Sequence, residues 1–354
     1  MSACFKLWSA LAVGLSFLAM PLRAEFVYVA NAGSGNLSGF SIHKNGVLSP
    51  VPGSPFPSNG SPISVAVDFL RRFVYVASEG TNDISAYRIS KNGSLTPVAG
   101  SPFPAGGLFP QAVAIDSLGQ FVYVANAVPG NVSAFRIAEN GALTPVAGSP
   151  FPLGSFPRSV AVDFLRRFVY VATGGGISAF SIDYNGALTP VAGSPFPMDA
   201  AFSTPDFVAV DFLGRFAYVA NNGPSGSVLA FSIGENGALS PIPGSPFPTG
   251  LIPDSVAVGF LGRFVYVANQ VGNNVSAFSV GENGDLSPVA GSPFPSGLTP
   301  DSVAVDFLGR FVYVANQVGN NVSAFSVDEN GALTPVTGSP FPTGSLPTSI
   351  AISP

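Results

Sequence analysis

The chain has 354 residues, of which 47% are hydrophobic, 12% aromatic and only 9% charged, and its formal net charge is −5. A net negative chain lacks the basic surface that nucleic acids and anionic membranes require, which argues against both as partners. A single cysteine excludes an internal disulfide, and no Cys/His spacing typical of a zinc site is present.

Residues 1–24 have the layout of a secretory signal peptide. Lys6 precedes an uncharged apolar run from Leu7 to Met20, and the small residue Ala24 ends the segment. An uncleaved anchor is the alternative, but the run is shorter than the roughly 20 residues that a spanning helix needs. Cleavage would leave residues 25–354 with a net charge of −7 and no later apolar run long enough to span a membrane. We therefore expect a secreted, periplasmic or cell-surface monomer.

The rest of the chain is organised around a six-residue stretch, Phe-Val-Tyr-Val-Ala-Asn, that occurs seven times with small variations. Its copies begin at Phe26, Phe73, Phe121, Phe168, Phe216, Phe264 and Phe311. Consecutive copies are 47 or 48 residues apart. A fixed period of this size indicates one supersecondary unit, repeated.

The last complete unit illustrates the predicted strands. Ser302–Val305 is a short apolar run without alternation, which predicts a strand covered on both faces. A tight connection containing Gly309 leads to a second strand, Phe311–Ala315, rich in β-branched and aromatic residues. The third strand, Val322–Val327, alternates and is expected to be less buried.

An Asn-Gly hairpin, here Asn330-Gly331, follows the third strand in every unit. The fourth strand, Leu333–Val336, contains a proline, which is tolerated at a sheet edge. Each unit is thus a four-stranded antiparallel sheet. Seven such sheets arranged radially form an all-β, seven-bladed β-propeller.

The two ends of the chain favour a closed ring over a linear solenoid. Solenoids need polar caps, whereas this chain starts with a second strand at Phe26 and ends with a first strand, Ser349–Ser353. The C-terminal strand is therefore expected to complete the N-terminal blade, so that residues 25–354 form one domain.

The repeated segments Asp-x-x-Gly-Arg-Phe, Tyr-Val-Ala-Asn, Val-Ser-Ala-Phe and Asn-Gly-x-Leu-Thr-Pro-Val resemble the YVTN repeat of lactonase-fold, 6-phosphogluconolactonase-like propellers. The resemblance covers all seven units. It implies hydrolysis of a sugar lactone by His, Arg and Glu side chains grouped at the central channel.

The catalytic set implied by that resemblance is incomplete here. Arg158 matches the arginine of the family's Pro-Arg-His segment, but Ser159 stands at the histidine position. The one histidine, His43, adjoins a hairpin on the opposite face. The glutamates beside the Asn-Gly hairpins are Glu139, Glu235, Glu282 and Glu329. We expect no glutamate near the channel mouth, and general-base hydrolysis is then poorly supported.

The residue after the proline that introduces each unit is expected at the channel mouth, on the face that carries the variable loops. These residues are Ile63, Gln111, Arg158, Asp206, Asp254, Asp301 and Thr348. Three aspartates in consecutive blades suit a hard cation such as Ca²⁺. The alternative is that each aspartate caps its own proline turn in solvent, with Arg158 neutralising a neighbour.

Apolar residues precede the same prolines. They are Leu108, Phe109, Phe156, Phe202, Leu251, Ile252, Leu298 and Leu346. If they are exposed together, they form an interaction patch for a protein or carbohydrate ligand. If they fold down between the blade crossings, they are a satellite of the core.

The sequence favours a secreted, non-catalytic binding module without a cofactor that uses the loop-bearing face. The alternative is a divergent lactonase, possibly cation-dependent, in which Asp206, Asp254 and Asp301 hold the ion and Arg158 holds an anionic substrate.

Overall fold

The computed structural model describes residues 25–198, 204–223 and 225–353. The predicted signal peptide and Phe202 lie outside the described residues. Seven antiparallel sheets are arranged around one axis, which confirms the predicted seven-bladed propeller. In the described part of the chain, no helix is long and apolar enough to cross a membrane.

Each blade has an inner, a second, a third and an outer strand, in that order from the axis outward. The inner strands are Pro62–Val67, Leu108–Ile115, Pro157–Val162, Pro205–Val210, Pro253–Val258, Pro300–Val305 and Pro347–Ile352. The second strands are Phe26–Asn31, Phe73–Ser78, Phe121–Val128, Phe168–Thr173, Phe216–Asn221, Phe264–Asn269 and Phe311–Asn316. The third strands are Asn36–Ile42, Asp83–Ile89, Asn131–Ile137, Gly176–Ile182, Ser227–Ile233, Asn274–Val280 and Asn321–Val327.

The outer strands are short, as their proline predicts. They are Leu48–Pro50, Leu95–Pro97, Leu143–Pro145, Leu188–Pro190, Leu239–Pro241, Leu286–Pro288 and Leu333–Pro335. Six two-residue strands also pair with the start of a third strand, an addition that the sequence did not indicate. These are Phe56–Pro57, Phe103–Pro104, Phe151–Pro152, Phe247–Pro248, Phe294–Pro295 and Phe341–Pro342.

Burial along the blade differs from the sequence expectation. The second strand is the deepest, with Phe311–Asn316 buried throughout, because it packs between two neighbouring blades. The inner strand is only partly buried because one of its faces lines the channel. The third strand is buried from Val322 to Phe325, so its predicted shallower position was wrong for that half.

The ring closes as predicted. Pro347–Ile352 pairs antiparallel with Phe26–Asn31, so the last segment of the chain completes the first blade. The backbone N–H of Ser353 donates to the carbonyl of Phe26 at 2.8 Å.

Neighbouring blades are joined by seven buried tyrosines, one in each second strand. Each hydroxyl donates to the carbonyl of the Asn-Gly glycine in the next blade, as Tyr170 does to Gly237 at 3.1 Å. Tyr313 donates to Gly46 at 3.0 Å and joins the last blade to the first. Burying a tyrosine hydroxyl without a hydrogen bond would cost free energy. Each hydroxyl therefore keeps its hydrogen bond to the next blade, and this bond sets the distance between the two blades.

Aspartate–arginine ion pairs form in four of the hairpins that join an inner strand to a second strand: Asp68–Arg72, Asp163–Arg167, Asp211–Arg215 and Asp306–Arg310. Five phenylalanines lie in these four hairpins and in the corresponding hairpin that has Gly259 at the aspartate position: Phe69, Phe164, Phe212, Phe260 and Phe307. Their rings contact one another in a closed circuit, with centroid distances from 3.9 to 5.4 Å. They line the hairpin end of the channel, a circuit that only the closed ring of blades creates.

Candidate functional site

The opposite end of the channel opens into a cavity of about 390 Å³, which we call the channel mouth. Six of the side chains predicted for the mouth are polar or charged, and the seventh is Ile63. All seven line it: Ile63, Gln111, Arg158, Asp206, Asp254, Asp301 and Thr348. The structure therefore brings together residues that are about 48 positions apart in the chain.

A β-bulge in each inner strand turns these side chains inward. The pairing register shifts between Pro253 and Ser255 and between Pro300 and Ser302, so Asp254 and Asp301 are the extra residues. In the blade that contains Arg158, the pairing register shifts between Pro157 and Ser159, so Arg158 is the extra residue there. A bulge re-aims the side chain that it carries, and bulges are common next to functional sites.

Asp254 and Asp301 form a carboxyl pair. Burial, and then the charge of Asp301, raise the pKa of Asp254 to about 9. Burial also raises the pKa of Asp301, while its hydrogen bond with Asp254 acts in the opposite direction. Two interacting carboxyls in a buried site favour a state in which one of them holds a proton, because ionising both is costly there.

Two glutamines determine which member of the pair keeps its charge. The Nε2 atoms of Gln270 and Gln317 both donate to Asp301 Oδ1, each at 3.4 Å. Donors on a carboxylate favour its ionised form. The geometry therefore favours Asp301 as the carboxylate and Asp254 as the protonated member of the pair.

Arg158 is paired with the third aspartate. Its Nη1 lies 2.8 Å from Asp206 Oδ1. The Asp206 side chain is 7% exposed and the Arg158 side chain 50%. Burial raises the pKa of Asp206, and the Arg158 charge opposes that rise. Half of the arginine surface thus remains available to a ligand.

Glu79 also lines the channel mouth, so the expectation that no glutamate lies there was wrong. Gln111 Nε2 donates to Glu79 Oε1 at 3.3 Å. Glu79 is the first residue after a second strand, the position that Gln270 and Gln317 occupy in their own blades. Comparing that position across the repeats would have identified all three.

The apolar residues before the introducing prolines are largely exposed. Leu108, Phe109, Phe156, Leu251, Leu298 and Leu346 are between 44% and 57% exposed, and Ile252 is half-buried. Phe109 and Leu346 have positive φ angles of 52° and 50°. Their backbone N–H groups donate to Asn82 and Asn320 in the preceding blades. These hydrogen bonds hold the chain segments that cross from one blade to the next. Because the apolar side chains on these segments are exposed, the geometry fits an interaction patch better than a satellite of the core.

Among the described residues, no group of three or more His, Cys, Asp or Glu side chains is arranged to hold a metal ion. A cation held by Asp206, Asp254 and Asp301 stays a prediction.

The family model described as "Lactonase, 7-bladed beta-propeller" matches residues 54–164, 104–194 and 255–347. No curated protein sequence matches the chain.

Several solved structures share the fold. A candidate 6-phosphogluconolactonase from Bacteroides fragilis is 20% identical with a TM-score of 0.80, over 94% of this chain and 99% of that one. A second, from Bacteroides uniformis, is 20% identical with a TM-score of 0.79, over 93% and 99%. The periplasmic gluconolactonase PpgL of Pseudomonas aeruginosa is 20% identical with a TM-score of 0.76, over 94% and 99%. At this identity the likeness concerns the fold.

Proposed function

The chain belongs to the lactonase family of seven-bladed β-propellers, and on that premise we propose that it hydrolyses a sugar lactone at the channel mouth. The observation that carries the proposal is the convergence of the carboxyl pair Asp254–Asp301 with Arg158 on one cavity, where burial raises the pKa of Asp254. An acid, a base and a cation in one cleft are what acyl hydrolysis needs. The proposal takes precedence over the non-catalytic module that the sequence favoured.

The reaction divides among the three side chains. Asp301, as the carboxylate, accepts a proton from the water whose oxygen attacks the lactone carbonyl carbon. The exposed half of Arg158 donates hydrogen bonds to the carbonyl oxygen as it gains negative charge. Asp254 donates its proton to the ring oxygen as the bond between that oxygen and the carbonyl carbon breaks. The products are one hydroxy acid and an enzyme whose pair still holds one proton.

Burial of the carboxyl pair allows Asp254 to act as the acid at neutral pH. A solvated aspartic acid is ionised there and has no proton to donate. With its pKa raised to about 9, Asp254 stays protonated and remains an acid. Its ionised partner supplies the base without any histidine, which accounts for Ser159 at the histidine position of the family.

The test is a pH-stat assay on glucono-1,5-lactone, comparing the purified protein with Asp254→Asn. The variant keeps a hydrogen-bond donor to Asp301 but has no acidic proton, so the rate above background should fall about 100-fold or more. Glu282→Gln, which removes a carboxylate from an exposed hairpin, is the control and should keep full activity. An active Asp254→Asn, or a wild type without activity on any sugar lactone, would refute the proposal.

A binding module remains the second candidate, and the exposed apolar residues around the mouth favour it. Replacing Phe156 and Leu251 with serine should then abolish capture of a carbohydrate on a glycan array. Leu261→Ser, at a 70% exposed site on the hairpin face, is the matched control and should leave capture intact. Capture that survives the double substitution would count against a patch at the mouth.

A further inference from the structure

We propose that the channel mouth accepts the lactone of an unphosphorylated sugar, and that the Arg158–Asp206 ion pair disfavours a phosphorylated one. This inference rests on the proposed lactone hydrolysis and adds the chemical class of the substrate. Three features of the mouth carry it: its supply of hydrogen-bond acceptors, its single paired cation and its net charge.

The channel mouth contains oxygen atoms that can accept hydrogen bonds from a ligand. Asp206 Oδ2 is buried without a well-aligned hydrogen bond among the described residues, although a hydrogen bond from the Asn222 side chain lowers the pKa of this carboxyl. A sugar hydroxyl donates as well as accepts, whereas a phosphate dianion only accepts. The remaining polar lining consists of hydroxyls and amides suited to a polyol: Ser61, Ser64, Gln111, Ser302, Gln317, Thr348 and Ser349.

The mouth has one cation, and that cation is already neutralised. Arg158 is the only Lys, Arg or His among the described residues that line the cavity. Residues 199–203 and 224, which the structure does not describe, contain no basic residue. At 2.8 Å from the buried Asp206 carboxylate, the guanidinium would have to exchange an intramolecular partner for a phosphate.

The charge balance at the mouth is negative. Glu79, Asp206, Asp254 and Asp301 are the acidic side chains among the described residues that line the mouth, and Arg158 is the basic one. This excess of acidic over basic side chains repels an anion. A dianion ~6 Å from one uncompensated carboxylate should be disfavoured by about 100-fold or more at the low dielectric of a cleft.

The experiment compares kcat/KM for glucono-1,5-lactone and for its 6-phosphate in a pH-stat at about 0.15 M salt, which suppresses long-range effects. We expect the wild type to favour the neutral lactone by about 100-fold. Asp206→Asn releases Arg158 and removes one negative charge, so this preference should fall at least about tenfold. Glu282→Gln changes the net charge equally, far from the mouth, and should leave the preference unchanged.

Comparable or faster hydrolysis of the phosphorylated lactone by the wild type would overturn the inference. An unchanged preference in folded Asp206→Asn would do the same. If that variant does not fold, Glu79→Gln takes its place, because it removes a half-exposed negative charge from the same cavity.

Failure of the proposed function is distinguishable from failure of this inference. If neither lactone is hydrolysed, the hydrolase proposal fails, and the inference is judged by binding of an inert sugar, 1,5-anhydroglucitol, and of its 6-phosphate. A larger rise in melting temperature with the neutral sugar supports it. An equal or larger rise with the phosphate, or no rise with either, overturns it.

Discussion

Replacing Asp254 with asparagine should change how the stability of the protein depends on pH. Asparagine has nearly the same shape, keeps a hydrogen-bond donor for Asp301 and cannot ionise. The wild-type carboxyl has a pKa of about 9 in the folded protein, against a reference value of 3.8. The folded state therefore binds more protons than the unfolded state between about pH 4 and pH 9.

The sign and size of the effect follow from that difference. Because the folded pKa is raised, the wild-type free energy of unfolding falls as pH rises through this window, by up to about 1.4 kcal/mol per pH unit. From pH 5 to pH 8 this group alone lowers it by up to about 4 kcal/mol. Relaxation of Asp301 reduces the figure, so we expect Asp254→Asn to gain about 2–4 kcal/mol relative to wild type over that range.

The assay is thermal unfolding at several pH values between 5 and 8. For a chain of 354 residues, 1 kcal/mol corresponds to about 1.4 °C in Tm. The Tm difference between Asp254→Asn and wild type should therefore grow by about 3–6 °C toward pH 8. The exposed-site control Glu282→Gln should show a constant difference. Parallel curves for Asp254→Asn and wild type would mean that Asp254 is ionised at neutral pH, and the shared proton would be refuted.

Three further predictions concern the ring and the mouth. Tyr170→Phe removes the buried hydrogen bond to Gly237 and should lower the free energy of unfolding by about 1–3 kcal/mol, whereas Tyr184→Phe, at an 89% exposed site, should change it very little. Equal losses for the two variants in denaturant melts would contradict the role of Tyr170 in joining the blades. Gly237→Ala should lower Tm more than Gly309→Ala, because both φ angles are positive but only the first added Cβ would lie about 2.5 Å from a phenylalanine ring. Millimolar Ca²⁺ should leave Tm unchanged at pH 7 if the aspartate pair holds a proton, and a Tm that rises with Ca²⁺ and returns with chelator would instead support the cation site.

The sequence by itself determined the architecture. The hydrophobic stretch beginning at each of seven phenylalanines specifies the buried second strand, and the Asn-Gly hairpins and outer-strand prolines specify how each blade turns and ends. These are local properties of the backbone and of side-chain burial, and the same pattern recurs in all seven repeats. The position after each introducing proline also placed Arg158, Asp206, Asp254 and Asp301 at one mouth.

Only the tertiary structure decided what those residues do to one another. Asp254 and Asp301 are 47 positions apart, and whether they share a proton depends on bulge geometry and depth in the cleft. The pairing of Arg158 with Asp206, the position of Glu79 and the circuit of five phenylalanines likewise depend on distances across the ring. Such distances are set by how seven blades pack against each other, and no segment of the chain encodes them locally. Electrostatic interactions fall off with distance and rise with burial, so the chemistry of the mouth emerges only once the ring has closed.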